Sequence, residues 1–241
     1  MMNQPTLTTA PSKFVQAPAL IQNWVFAHAI LMLGGSVITW IRPDSWSLIL
    51  LGMASFAGFF ISNRPNWQPL HRWSGPANWV TGSRVIAMAG LVIFHEFLTD
   101  WQVAFWALAV LALDGIDGYL ARKFHTSSLF GEFLDKETDA WFVLAMGWIL
   151  WQRELAPAWI WLPGILRYAY VIAIRFIVPK QRSESRSKRG QYIAVLLMGS
   201  LIGACVLPEP LGLILLGVAT LSVSYSFGAS FLQLFSQKDP S

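Results

Sequence analysis

Apolar residues in this chain run in blocks separated by short clusters of charge, proline and turn formers. The blocks fall near 24–41, 46–62, 79–98, 102–122, 132–152, 158–178, 190–207 and 210–234. The breaks lie at Arg42-Pro43-Asp44, 63–76, Thr99-Asp100, 154–157, 179–189 and Pro208-Glu209-Pro210. None of the blocks holds an interior run of turn residues, and each has the length that crosses a bilayer as a helix, roughly 17–25 residues. In lipid the backbone must satisfy its own hydrogen bonds, which a single segment can do only as a helix. The pattern therefore predicts an all-α, polytopic membrane bundle of about eight helices. The first two blocks are short enough for one of them to lie shallow.

Composition agrees with a chain built for lipid. Of 241 residues, 55% are hydrophobic and only 12% charged, about half the charge of an ordinary soluble domain. Residues 1–18 are polar and rich in Pro, Thr and Ser, without a basic start leading straight into an apolar core. No cleavable signal is expected, so the first block acts as its own insertion signal. Cys205 is the single cysteine and is expected inside the seventh block. That excludes an intrachain disulfide and a thiolate metal cluster.

Positive charge predicts the orientation. With the N-terminus inside, one set of loops holds Lys13, Arg64, Arg72, Arg122, Lys123, Lys180, Arg182, Arg186, Lys188, Arg189 and Lys238, against only Arg42 and Arg153 on the other side. Both termini are therefore expected in the cytoplasm. Trp40, Trp46, Trp101, Trp106, Trp148, Trp151, Trp159 and Trp161 all fall toward the outer side in this arrangement, where amphipathic rings anchor. The net charge of +4 is met by topology and anionic headgroups, and no nucleic-acid partner is expected.

The chemistry concentrates between Asp114 and Asp139. Ionisable groups inside a membrane segment are costly and mark functional sites, and here they form a set. Asp114 and Asp117, three residues apart, stand about 60° apart around the fourth helix. On the fifth helix Gly131, Asp135 and Asp139 follow at four-residue spacing and make one stripe. A short cytoplasmic turn near 123–128 joins the two helices antiparallel, so the two stripes are expected to face each other near the inner leaflet. Four converging carboxylates repel unless something cationic sits between them. Hard divalent cations take oxygen ligands, and phosphate-handling sites use Mg²⁺ or Mn²⁺ held by carboxylates and substrate oxygens. Two ions suffice to bridge four aspartates and a diphosphate. Gly118, Ala121 and Gly131 are small enough for a flat base or a diphosphate to approach the backbone.

These residues carry a resemblance. Asp114-Gly-Ile-Asp117-Gly118-Tyr-Leu-Ala121-Arg122, then Gly131, Asp135 and Asp139, resembles the complete signature of the CDP-alcohol phosphotransferase family, with eight positions filled over 26 residues. Asn78-Trp-Val-Thr81-Gly-Ser-Arg84 is similar to the family's Asn…Thr…Arg pattern, although the usual proline is displaced to Pro76. The resemblance implies a core of six membrane helices, usually paired as a homodimer, over 79–234. It implies transfer of a phosphoalcohol group from a CDP-alcohol to an acceptor hydroxyl, with release of CMP. Asp114, Asp117 and Asp135 would then be metal ligands. Asp139 would take the acceptor's proton and touch a metal as well. Gly118, Ala121 and Gly131 would line the cytidine pocket, with Asp114 and Thr81 beside it. Arg122 would either contact phosphate or fix the helix junction.

Three domains are expected: a cytoplasmic tail over 1–18, a transmembrane hairpin over 19–65, and the six-helix core over 66–241. The hairpin lies outside the resemblance and reads as packing surface, or as a site of regulation or partner binding. Acceptor recognition points to the basic residues. Arg167 and Arg175 lie in the sixth block, and Arg186, Lys188 and Arg189 lie in the densest basic run of the chain. A buried guanidinium must find an anion; for Arg167 that anion is either an acceptor's phosphate or the aspartate cluster. Glu132 and Glu137 read as structural. Gly199 and Gly203 permit close helix packing, inside the bundle or at a dimer contact. The donor is read as CDP-diacylglycerol and the acceptor as a phosphorylated polyol such as glycerol 3-phosphate. CDP-choline or CDP-ethanolamine with diacylglycerol is the alternative. An ion-coupled transporter would scatter its acids at mid-depth through related halves of the chain, and a silent scaffold would have lost an aspartate. Neither pattern is present.

Overall fold

The computed structural model describes residues 19–62, 76–123, 129–177 and 188–236. They form eight α-helices: α1 Ala19–Ile41, α2 Ser47–Ser62, α3 Pro76–Phe94, α4 Asp100–Lys123, α5 Leu129–Gln152, α6 Leu162–Ile177, α7 Lys188–Gly203 and α8 Glu209–Ser236. Short 3₁₀ turns at His95–Phe97 and Ala158–Trp161 end α3 and introduce α6. There is no strand among the described residues. The polar tail over 1–18 lies outside them.

Every expected block contains a helix, and the local chemistry explains the ends. Thr99 caps α4: its Oγ1 accepts from the Gln102 backbone N–H at 3.3 Å, while Gln102 Oε1 accepts from the Thr99 N–H at 2.8 Å. This is a reciprocal capping box. At the end of α5, the Leu155 N–H donates to Leu150 O at 2.9 Å and the Glu154 N–H to Trp151 O at 3.1 Å. Glu154 takes the left-handed position of that motif, with φ 58°, where glycine is the usual choice. One expected boundary is corrected. Helix α7 stops at Gly203, so Cys205 lies in the turn beyond it. The turn tightens through Cys205 N–H to Ile202 O and Val206 N–H to Gly203 O, because Pro208 and Pro210 cannot continue the helix.

Among the described residues, three helical stretches are long and apolar enough to cross a membrane: Ala19–Ile41, Trp79–Phe97 and Glu209–Leu232. Helix α2 is a shorter apolar helix. Helices α4 and α5 have the length, with 24 residues each, but they carry the charges of the acidic region. Helices α6 and α7 are 16 residues long.

Helix α5 is the centre of the bundle. Residues 140–150 are buried on every side, as expected of a helix that is apolar all round. Helices α3, α6 and α7 pack on it, and the α1–α2 hairpin covers its back. The hairpin is tightly seated. Trp24 stacks on Phe59 at 3.7 Å between centroids, and Phe59 stacks on Phe130 of α5 at 4.9 Å. Gly52 meets Trp141 so closely that an added Cβ would lie 2.6 Å from the indole Nε1. His28 Nδ1 bonds Ser55 Oγ at 2.8 Å inside the hairpin. Of the tryptophans expected toward the outer side, Trp148 and Trp161 are buried within the bundle, and Trp40, Trp46, Trp101 and Trp159 are exposed.

At the end of α5 remote from Asp135, Arg153 ties the turns together. Its Nε and Nη2 donate to Asp100 Oδ1 at 2.9 and 2.6 Å, and Nη1 donates to His95 O at 2.6 Å. This anchors the α3–α4 turn to the end of α5 and sets α4 and α5 antiparallel.

Candidate active site

Three helices build the acidic site. Asp114 comes from α4, Asp135 and Asp139 from α5, and the group they surround is Arg84 of α3. Arg84 Nη1 lies 2.8 Å from Oδ1 of Asp114 and 2.8 Å from Oδ1 of Asp135, while Nη2 lies 2.6 Å from Oδ1 of Asp139. The guanidinium side chain is 1% exposed; the three carboxylates are 33%, 37% and 31% exposed. The cation is thus walled in, and the acids open outward. The expected meeting of the α4 and α5 stripes is achieved across a third helix, since α3 packs on both.

Local sequence explains the convergence. Asp135 and Asp139 are one turn apart on α5 and point the same way. Arg84 follows Thr81 by three residues on α3, which places both on one face; Thr81 is buried. Gly118 and Gly131 are half-buried near the ends of α4 and α5 that carry the aspartates. The side chains of Asp117, Ala121 and Arg122 lie outside the described residues, as do Arg186 and the side chain of Lys188.

The donor set suits a hard divalent cation. Asp114, Asp135 and Asp139 each offer an oxygen, all within 4.8 Å of one another. These oxygens sit on stiff helices with one side accessible, and carboxylates are the ligands that Mg²⁺ and Mn²⁺ prefer. Among the described residues three carboxylates face this one guanidinium, an excess of acid that favours a further cation.

The remaining basic residues are placed elsewhere. Arg167 of α6 donates to Glu137 Oε1 at 2.9 Å. Its anion is therefore not the aspartate cluster, which is taken by Arg84. Glu137 is completely buried, on the face of α5 that the sequence turns away from Asp135. Arg175 is exposed and reaches Gln22 and Asn23 of α1 at 3.5 and 3.2 Å. Arg189 is exposed at the start of α7. Glu132 pairs with Lys136 one turn on, at 3.3 Å.

Arg84 is the residue to which sequence reasoning attached no role beyond its place in a pattern. The signal was available. An arginine inside an apolar helix requires an anion, and the spacing alone leaves open which acid supplies it.

An all-helical bundle with membrane-length apolar helices is the architecture of a membrane protein, and its half-open carboxylate cluster could hold a metal ion. The profile described as CDP-alcohol phosphatidyltransferase matches residues 76–227, well over half of the chain, and the chain belongs to that family. The α1–α2 hairpin precedes the matched region. Among curated relatives, the CDP-diacylglycerol–glycerol-3-phosphate 3-phosphatidyltransferase of Bacillus subtilis is 35% identical over 39% of this chain and 42% of its own length. The cardiolipin synthase (CMP-forming) of Streptomyces coelicolor is 37% identical over 29% of this chain and 34% of its own. A CDP-diacylglycerol–glycerol-3-phosphate 3-phosphatidyltransferase of Yersinia pestis is 28% identical over 54% of this chain and 76% of its own. The chain thus matches less than half the length of the Bacillus and Streptomyces relatives. No solved structure matches the chain.

Proposed function

We propose that this protein transfers a phosphatidyl group from CDP-diacylglycerol to the hydroxyl of a phosphorylated polyol such as glycerol 3-phosphate, releasing CMP. The observation that carries the reading is the gathering of Asp114, Asp135 and Asp139 from two helices at one half-open point. The names borne by the Bacillus and Yersinia relatives support the donor and the acceptor.

In this reading Asp139 accepts the proton of the acceptor hydroxyl. The acceptor oxygen bonds to the phosphorus that carries the lipid, and the bond from that phosphorus to the oxygen bridging to CMP breaks. CMP leaves with the bonding electrons. Mg²⁺ or Mn²⁺, held as two ions by Asp114, Asp117, Asp135 and Asp139, would neutralise charge on the diphosphate. Thr81, Gly118, Ala121, Arg122 and Gly131 form the cytidine-diphosphate side of the site. A weak base such as aspartate works here through proximity to the hydroxyl.

The acceptor's phosphate is assigned to the basic run Arg186, Lys188 and Arg189 ahead of and at the start of α7. Arg167 and Arg175 stand nearby in sequence terms, but each already has a partner within the bundle. We further assign six membrane helices to the core over 66–241 and two to the hairpin over 19–65, with both termini cytoplasmic and the chain paired as a homodimer. A lipid hydroxyl as acceptor is the second reading, because the Streptomyces relative is named as a cardiolipin synthase that forms CMP.

CMP release by the purified protein, with CDP-diacylglycerol, Mn²⁺ and a panel of acceptors, tests the proposal. CMP formed only with glycerol 3-phosphate, together with a matching new lipid, is the expected result. CMP formed only with a lipid hydroxyl selects the second reading. No CMP with any CDP-alcohol removes both.

A further inference from the structure

We propose that Arg84 is the built-in counter-charge of the acidic site, gathering the carboxylates of two helices and holding down their affinity for divalent cations. The inference rests on the metal-binding part of the function proposed above. A guanidinium that served only to join α3 to a neighbour would need one carboxylate. Arg84 takes three, on two helices, at 2.6–2.8 Å. It does so from a fully enclosed position, while each of its partners keeps about a third of its side chain exposed. The open face of the acids therefore receives ligands, and the enclosed face is permanently occupied by positive charge.

That charge cannot be removed by deprotonation, since guanidinium stays ionised in proteins. The side chain is 1% exposed, where α3 packs on α4 and α5. A divalent ion arriving at Asp114, Asp135 and Asp139 thus meets one unit less of negative charge than the acids alone would present, and a fixed cation a few ångströms behind them. The effect on binding has a predictable sign. Repulsion between a unit charge and a divalent ion about 5 Å away is worth roughly tenfold in affinity even at the dielectric constant of water, and more in a half-buried site. Without divalent ions, the same guanidinium offsets the mutual repulsion of the three acids. Arg84 therefore acts in opposite directions on the two forms: it stabilises the protein without metal and weakens the binding of metal.

Arg84→Gln and Arg84→Lys in the full chain, purified in detergent, separate this role from simple packing. Mn²⁺ affinity is measured by titration calorimetry, and thermal unfolding is followed in EDTA and in saturating Mn²⁺. Arg84→Gln is expected to melt lower in EDTA, to bind Mn²⁺ at least about tenfold more tightly, and to gain more from Mn²⁺ than the wild type does. Arg84→Lys keeps the charge but not the three-way bridge. It is expected to melt lower in EDTA with Mn²⁺ affinity close to wild type, and Arg84→Met, which removes the charge at similar length, decides the matter should the glutamine variant not fold. Equal or weaker Mn²⁺ binding by Arg84→Gln overturns the inference, and so does a loss of more than about tenfold by Arg84→Lys. If the wild type and both variants all fail to bind Mn²⁺, the metal-dependent reading falls, and this inference with it.

Discussion

Two arginines approach α5 from different sides, and the chain uses them differently. Arg167 meets a single acid, Glu137, which is completely buried, and the pair is balanced charge for charge. Arg84 meets three acids that stay about a third exposed, and the acids outnumber it. A balanced ion pair leaves no net charge to attract a ligand, although Glu137 Oε2 has no hydrogen-bond partner among the described residues and Arg167 is 26% exposed. It costs desolvation and in return restricts how the helices can pack. A surplus of carboxylate that opens outward is electrostatically unfinished and calls for a further cation. The same helix therefore presents a structural face at Glu137 and Trp141 and a chemical face at Asp135 and Asp139. The hairpin covers the structural face: Gly52 of α2 lies against Trp141, one turn beyond Glu137.

Substitutions on the two faces should separate activity from stability. The largest effect is expected on the chemical face. Asp139→Asn should reduce CMP release by at least about a hundredfold, the lower range for losing a positioned proton acceptor, and Asp117→Asn, which loses a proposed metal ligand, should also remove most of it. The helical content and melting behaviour should remain those of a folded protein. Turnover near the wild-type rate in both variants would remove the carboxylate mechanism. On the structural face, Glu137→Gln leaves Arg167 without its counter-ion in a packed setting. The cost should be about 3 kcal/mol of stability, the lower end for breaking a buried pair because Arg167 retains some solvent contact. Denaturant or thermal unfolding measures it, and the fraction that folds should still release CMP. An unchanged melting point with lost activity would place Glu137 in the chemistry and erase the contrast. The smallest expected effect is at the hairpin. Gly52→Ala drives a Cβ into the Trp141 indole and should cost about 1–2 kcal/mol by overpacking, again with turnover retained by the folded protein. A larger loss of activity than of stability would show that the hairpin also orients α5.

Much of this was legible along the chain. Proline, charge and turn clusters marked the helix ends, because these residues cannot continue an apolar helix. Only details of one or two turns differed, such as the early stop of α7 before Pro208. The aspartates were legible too, since charge within apolar blocks is too costly to be incidental. Less legible was the partner of each charge. The spacing of Asp135 and Asp139 shows that they share a face, and that of Glu137 shows that it does not. Nothing along the chain says which arginine serves which face.

The sequence by itself determined the helices, their lipid-compatible character and the carboxylate set, because periodicity, hydropathy and turn chemistry act over a few residues. Only the tertiary structure decided that Arg84, and not Arg167, enters the aspartate cluster, and that the hairpin closes the back of α5. Those choices join residues 51 and 55 positions apart in one case and 30 in the other. They depend on which helix faces pack together, and packing is a property of the whole bundle.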